Sequence, residues 1–245
     1  MKPLIGKIAV VTGSSRGIGR AIAERLGADG ASVVVTYHGN QEKAEEVVRA
    51  ITAAAGSEAT AIQTDMRDLD SVRNLFAQAT ARFGRVDILV NNAAGVNVFK
   101  PTEAMTVEEY DSMFLVTRGV YFALQVAAKE IADGGRIVSL STGGTSMAMA
   151  GGGAYAGSKA AIEQFSNALA KEVGHRGVTV NTIAPGVTDT DGLVLSDDQK
   201  NGLIAQTPLG RLGKPEDIAA AVALLVSPDA HWITGQNIRA TGGIV

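Results

Sequence analysis

The sequence predicts an α/β protein: a single domain spanning residues 1–245, doubly wound, with a parallel sheet of about seven strands and helices on both faces. Three observations predict it. Short β-branched runs alternate with longer stretches of helical periodicity, the pattern of repeated βαβ units. Runs such as Ile8-Ala9-Val10-Val11 and Asp87-Ile88-Leu89-Val90 are almost continuously apolar, as strands covered on both faces must be. The chain has 245 residues and 46% hydrophobic content, enough for one large buried core.

The first strand is expected over Lys7–Thr12 and the first helix over Gly17–Ala28. Two more strand–helix pairs follow, Ser32–Tyr37 with Gln41–Ala55 and Ala59–Gln63 with Leu69–Phe83. The fourth strand covers Val86–Asn91, before a long helix from about Thr106 to Ile131. Next come a fifth strand over Arg136–Ser141, a helix from about Ala154 to Val173 and a sixth strand over Val178–Ala184. After Pro185 the alternation pauses. Val187–Leu212 mixes Asp, Gly and Thr with Leu193, Val194, Leu195, Leu203 and Ile204, and reads as a substrate-binding lobe over the site. The last helix starts at Pro215, a first-turn position where the missing N–H costs nothing. The seventh strand lies near Gln236–Ala240.

Composition excludes several functions. Lys+Arg total 22 against 25 Asp+Glu, a formal net charge of -3, so the basic excess that drives phosphate-backbone binding is missing and nucleic acid is not an expected partner. With no cysteine there is no disulfide framework, thiolate metal site or cysteine nucleophile. His38, His175 and His231 are scattered without ligand spacing, so no metal is expected. No apolar run is long enough to span a bilayer, and the apolar start of the chain is broken by Gly6 and Lys7. A soluble cytoplasmic protein is the expectation.

Between the first strand and first helix lies Thr12-Gly13-Ser14-Ser15-Arg16-Gly17-Ile18-Gly19. A phosphate there would meet backbone N–H groups at the positive end of a helix, and glycines permit close approach. The spacing is GxxxGxG and departs from GxGxxG; a tight turn with close helix packing is the plain alternative. Dinucleotide sites for NAD(H) carry an acid about 20 residues further on. Here the second strand ends Thr36-Tyr37-His38-Gly39-Asn40, without an acid, while Arg16 stands in the loop itself. A guanidinium forms charge-assisted hydrogen bonds to phosphate, so NADP(H) is favoured over NAD(H), with His38 a possible assistant.

Tyr155-Ala156-Gly157-Ser158-Lys159 stands at the head of an apolar helix. Positions i and i+4 share a helical face. A free tyrosine has a pKa near 10, too high for efficient proton exchange at neutral pH. A unit positive charge about 4 Å away, at an effective dielectric near 20, is worth roughly 4 kcal/mol, or about three pKa units. Lys159 and an oxidised nicotinamide are the candidate sources. Thr142, thirteen residues before Tyr155, follows the fifth strand, where doubly wound sheets bind ligands. Its hydroxyl is the candidate for orienting a substrate oxygen, with Ser141 as competitor.

Taken together, Thr12-Gly13-x3-Gly17-x-Gly19, Asp65, Asn91-Asn92-Ala93, Tyr155-x3-Lys159 and Pro185-Gly186 resemble the short-chain dehydrogenase/reductase family over essentially the whole chain. The tail Pro208-Leu209-Gly210-Arg211-Leu212-Gly213-Lys214-Pro215-Glu216-Asp217, with Thr234-Gly235-Gln236, is similar to the branch of 3-oxoacyl-[acyl-carrier-protein] reductases and hydroxynaphthalene reductases. The resemblance implies a Rossmann fold in which Tyr155 is the general acid/base, Lys159 lowers its pKa and holds the ribose, and Thr142 positions the carbonyl. It also implies cofactor contacts from Gly13, Ser15, Arg16, Gly17, Ile18 and Gly19, from Tyr37 and His38, and from Asp65 and Met66 near the adenine. Asn91 and Ala93 would support the cofactor, and Ile183, Pro185, Gly186, Val187 and Thr190 would line the nicotinamide pocket. A homotetramer is implied, with the two long helices pairing across a two-fold axis.

Three departures stand out. Thr142 replaces the usual serine, keeping the hydroxyl but adding a methyl that restricts rotamers. Ala94 stands where the family's Asn-Asn-Ala-Gly has glycine, and Gly95 follows. The long helix lacks the asparagine that anchors a proton-relay water, and its local register leaves Thr117 or Val116 at that place.

Val96-Asn97-Val98-Phe99, Thr145-Ser146-Met147-Ala148-Met149 and the lobe's Leu193 and Leu195 frame a mostly apolar pocket, which suits a hydrophobic ketone better than a sugar. An acyl-carrier-protein substrate is the alternative and needs basic docking residues; Lys129, Arg136 and Arg176 are candidates, diluted by Glu130, Asp133 and Glu172. A cofactor-binding regulator without catalysis is the other class, opposed by the intact Tyr155 and Lys159.

Overall fold

The four residues of strand β1 (Ile8–Val11) are all buried, as are the six of β4 (Val86–Asn91), so the sheet needs helices on both faces. The computed structural model describes residues 2–55 and 57–245 and supplies them; Met1 and Gly56 lie outside the described residues. The other strands are β2 (Ser32–Tyr37), β3 (Ala59–Gln63), β5 (Ile131–Leu140), β6 (Thr179–Pro185) and β7 (Asn237–Ala240). All pair in parallel, in the order β3-β2-β1-β4-β5-β6-β7.

Alternate residues along each strand serve opposite faces. Ala9, Val11, Val33 and Val35 pack with Ile22, Leu26, Ile51, Ile218 and Val222 from helices α1 (Gly17–Ala28), α2 (Gln41–Ala55) and α7 (Pro215–Val226). Val10, Val34 and Leu89 pack on the other face with Leu75, Phe76, Val120, Leu124 and Ile162. Those come from α3 (Leu69–Phe83), α4 (Val107–Glu130) and α5 (Gly153–Val173). Helix ends follow local chemistry. Thr106 and Glu109 form a capping box on α4, and Gly84 closes α3 in a left-handed conformation.

Two elements differ from expectation. The β5 ladder begins at Ile131, opposite Val86, and resumes at Arg136 after an irregularity; the glycine-rich Asp133-Gly134-Gly135 bulge hides this first pairing in the sequence. The lobe contains a helix that the sequence reading did not place, α6 (Asp197–Gln206), started by a Ser196–Gln199 capping box. α6 buries no residue, so it has no apolar stripe to announce it.

Strand order reverses between β1 and β4, which opens a crevice beyond their carboxyl ends. The loops following β1, β4, β5 and β6 meet there.

Candidate active site

The glycine loop is laced to its neighbours by short polar side chains. Gly13 N–H donates to Thr36 Oγ1 at 2.8 Å, and Thr36 N–H to Ser14 Oγ at 2.9 Å. Thr12 Oγ1 accepts from Asn92 N and Ala93 N, each at 3.0 Å, while Asn92 Nδ2 donates to the Thr12 and Gly13 carbonyls at 2.9 and 3.0 Å. Gly13 has φ +63°, and a Cβ there would lie 2.9 Å from Ala93 Cα. Gly17 also has positive φ, with Thr190 packed over it. A Cβ on Gly19 would run into Gly13 O and Asn92 Nδ2. The loop is therefore a backbone cradle that side chains would fill.

At the head of α1, Arg16 is the N-cap residue yet makes no side-chain capping bond. It is exposed and unpaired among the described residues. Tyr37 is partly buried, while His38 is exposed beside the Asp65–Arg67 pair. Asp65 accepts from Arg67 Nη2 at 2.7 Å, which holds its carboxyl down at about 2. That carboxylate is already engaged, and so is the backbone, whose N–H donates to Ser71 Oγ at 3.0 Å and whose carbonyl accepts from Asp68 N at 3.1 Å. Met66 and Ile183, both expected beside the cofactor, are buried in the core, because apolar side chains turn inward; the Ile183 carbonyl accepts from Ser141 N at 2.8 Å. Asn91 is buried and donates from Nδ2 to Ser139 Oγ at 3.2 Å. Beyond β6, Gly186 N–H donates to Ala240 O at 3.0 Å, fixing the turn that leads through Val187 to Thr190.

Tyr155, Ser158 and Lys159 line a narrow cleft with Asn97, Val116 and Thr117. Of the competing hydroxyls, Thr142 is the one that meets Tyr155; Ser141 is buried and donates to Glu163. Burial raises the Tyr155 phenol above its usual value, and the Thr142 hydrogen bond works against that rise. Lys159 is 9% exposed; burial lowers it to about 8, and Nζ donates to Leu140 O at 3.4 Å. Burial is thus the dominant influence on both groups, and Lys159 is not among the influences on the phenol. Phe99 leans on Tyr155, ring centroids 5.1 Å apart and tilted 54°.

Thr117, not Val116, reaches the neighbouring helix: its Oγ1 lies 3.3 Å from both Met113 O and Ser158 O. Sequence reasoning gave no role to Asn92 and Thr36, which brace the glycine loop, or to Glu163, which braces the segment around Thr142. An acid on the α5 face eight residues after Tyr155 is the signal for Glu163.

The chain as a whole is similar to known proteins. A family model described as Enoyl-(Acyl carrier protein) reductase matches residues 13–245. A hydroxynaphthalene reductase-like protein of Metarhizium majus is 44% identical, over all of this chain and 97% of its own. A short-chain dehydrogenase from Burkholderia cenocepacia, solved in complex with NADP, shares 41% identity with a TM-score of 0.94 over 99% of each chain. This chain belongs to the short-chain dehydrogenase/reductase family. It is an oxidoreductase of that family with the single-domain Rossmann architecture. Its relatives among solved structures include the angucycline C-6 ketoreductase LanV with bound NADP, 39% identical, TM-score 0.92, over 99% of this chain and 96% of that one. No helix among the described residues of this family member is long and apolar enough to cross a membrane.

Proposed function

We propose that this oxidoreductase transfers hydride between NADP(H) and a hydrophobic ketone or secondary alcohol. The observation that carries the reading is the meeting of Tyr155 and Thr142 above a buried Lys159, beside a glycine cradle. Gly13, Ser15, Gly17, Ile18 and Gly19 would hold the pyrophosphate, with Arg16, Tyr37 and His38 at the adenosine and its 2′-phosphate. Asp65 and Met66 would flank the adenine; Asn91, Ala93, Pro185, Gly186, Val187 and Thr190 would border the nicotinamide. NADPH supplies the hydride when bound.

In reduction, the Thr142 hydroxyl donates to the carbonyl oxygen and orients it, and the Tyr155 hydroxyl gives that oxygen its proton as the carbon gains the hydride. Lys159 would hold the ribose of the bound cofactor beside the phenol, while the Thr142 hydrogen bond opposes the pKa rise that burial imposes. Phe99, Met147 and Met149, each about half exposed, offer an apolar rim that suits a bulky ketone. Acyl-carrier-protein docking is less well supported. Arg176 donates to the Ala128 and Ile131 carbonyls, and Arg136 to those of Gly134 and Gly135. Those cations hold the chain together instead of forming a patch. A homotetramer is proposed through α4 and α5, supported by exposed Val107, Tyr110 and Tyr121 on α4; sedimentation velocity tests it.

The deciding experiment follows NADPH consumption, with NADH in parallel, against acetoacetyl thioesters, bulky cyclic ketones and quinones. Turnover on the cyclic ketones is expected, and Tyr155→Phe should lower it by at least about 10³-fold while NADPH binding stays within about twofold. Unchanged turnover in Tyr155→Phe overturns the assignment.

A further inference from the structure

Tyr155, Lys159 and Glu163 stand at i, i+4 and i+8 on α5, so they lie along one side of the helix. All three meet the segment that leaves β5. Tyr155 meets Thr142, Lys159 Nζ donates to Leu140 O at 3.4 Å, and Glu163 Oε1 accepts from two hydroxyls. One is Ser141 Oγ; the other is Thr145 Oγ1 at 2.7 Å. Thr145 Oγ1 also lies 3.0 Å from Thr142 O, but a hydroxyl has one proton, and the shorter, charge-assisted contact to Glu163 takes it.

The two tethered residues bracket Thr142 and a 3-10 turn over Gly143–Thr145. That turn contains adjacent glycines, Gly143 and Gly144, the residues with the most backbone freedom to lose. Thr142 Oγ1 also accepts from Gly144 N at 3.2 Å, so movement of the turn moves the hydroxyl's own support. We propose that Glu163 is a positioning residue: its carboxylate pins Ser141 and Thr145 and thereby holds the turn that aims the Thr142 hydroxyl at Tyr155. The proposal rests on the reading of Thr142 and Tyr155 given above. A misplacement of about 1 Å in such a group costs up to about 100-fold in rate.

The test compares Glu163→Ala, Glu163→Gln, Thr142→Ala and the Thr142→Ala/Glu163→Ala pair. Ultraviolet titration of the tyrosinate signal, read as a difference from Tyr155→Phe, follows the phenol without turnover. Thr142→Ala should move the Tyr155 titration upward, because the Thr142 hydrogen bond is what opposes burial there. Glu163→Ala should move it the same way, and Glu163→Gln, whose carbonyl oxygen still accepts both hydroxyls, should restore it. With NADPH and trans-1-decalone, Glu163→Ala should lower kcat about tenfold with NADPH affinity within about twofold, and should add less than about twofold on top of Thr142→Ala.

A Tyr155 titration that moves in Thr142→Ala but not in Glu163→Ala overturns the inference, as do losses that multiply in the double variant. A titration unmoved even by Thr142→Ala counts against the reading of the site itself. Should Glu163→Ala fail to fold, Thr145→Val removes one of the two tethers, keeps the carboxylate, and must shift the titration in the same direction.

Discussion

The glycine loop at residues 13–19 and the lobe at 187–212 face each other across the crevice, and they are built by opposite means. The loop is held by backbone geometry and short buried polar side chains: Thr12 and Ser14 are 0% exposed, and Gly13 has no room for a Cβ. The lobe is only half-packed: Leu193, Leu195, Leu203 and Ile204 are partly buried. Val194 is 93% exposed, and no residue of α6 is fully buried. A region whose shape is set by backbone tolerates almost no substitution, whereas one made of partly exposed side chains can vary without threatening the core. The cofactor half of the site is therefore rigid, and the substrate half is the adjustable part.

The largest effect should come from filling the cradle. Gly13→Val forces a β-branched residue into φ +63° and against Ala93, and should destabilise the fold by about 2–3 kcal/mol and abolish NADPH binding. Thermal unfolding and fluorescence titration check both; normal binding in Gly13→Val would remove the rigid side of the comparison.

Lys159 belongs to neither region, lying on α5 against Leu140 and the loop after β4, and its burial sets a stability cost. The folded protein lowers its pKa from 10.5 to about 8, so the unfolded chain holds that proton more tightly. The penalty is complete below pH 8 and is relieved as pH rises towards 10.5, so this group makes stability increase with pH across that window. Lys159→Met should remove a penalty on the order of 3 kcal/mol at pH 7 and lose turnover, with the stability gain shrinking above pH 8. Denaturant unfolding at pH 7 and pH 10 measures it.

Arg16→Ala should weaken NADPH binding about 10–100-fold and leave NADH nearly unchanged, the equivalent of one charge-assisted contact. Equal losses for both cofactors would place Arg16 at the pyrophosphate instead. The smallest effect belongs to the lobe. Val194→Ser should change stability by less than about 0.5 kcal/mol, with any kinetic change confined to the ketone's KM. A change in NADPH affinity would blur the division between the two halves.

Much of this was legible from residues alone. The parallel sheet, its seven strands and the long helices follow from apolar runs and their periods, since burial on both faces leaves a strand little choice of composition. The glycine loop, Tyr155 and Lys159 were legible because their function depends on local spacing: i and i+4 on one helix, or glycines at the end of one strand. α6 was not, because a helix that buries nothing leaves no periodic mark.

The tertiary structure decided what depends on residues far apart in the chain. It chose Thr142 over Ser141 as the hydroxyl beside Tyr155, sent Ser141 to Glu163 across 22 positions, and set Thr117 against Ser158 across 41. It also turned Met66 and Ile183 into the core and brought His38 beside Asp65. Sequence spacing determines which face of its own element a side chain occupies; which partner it meets there is determined only when another element, placed by packing, arrives opposite it.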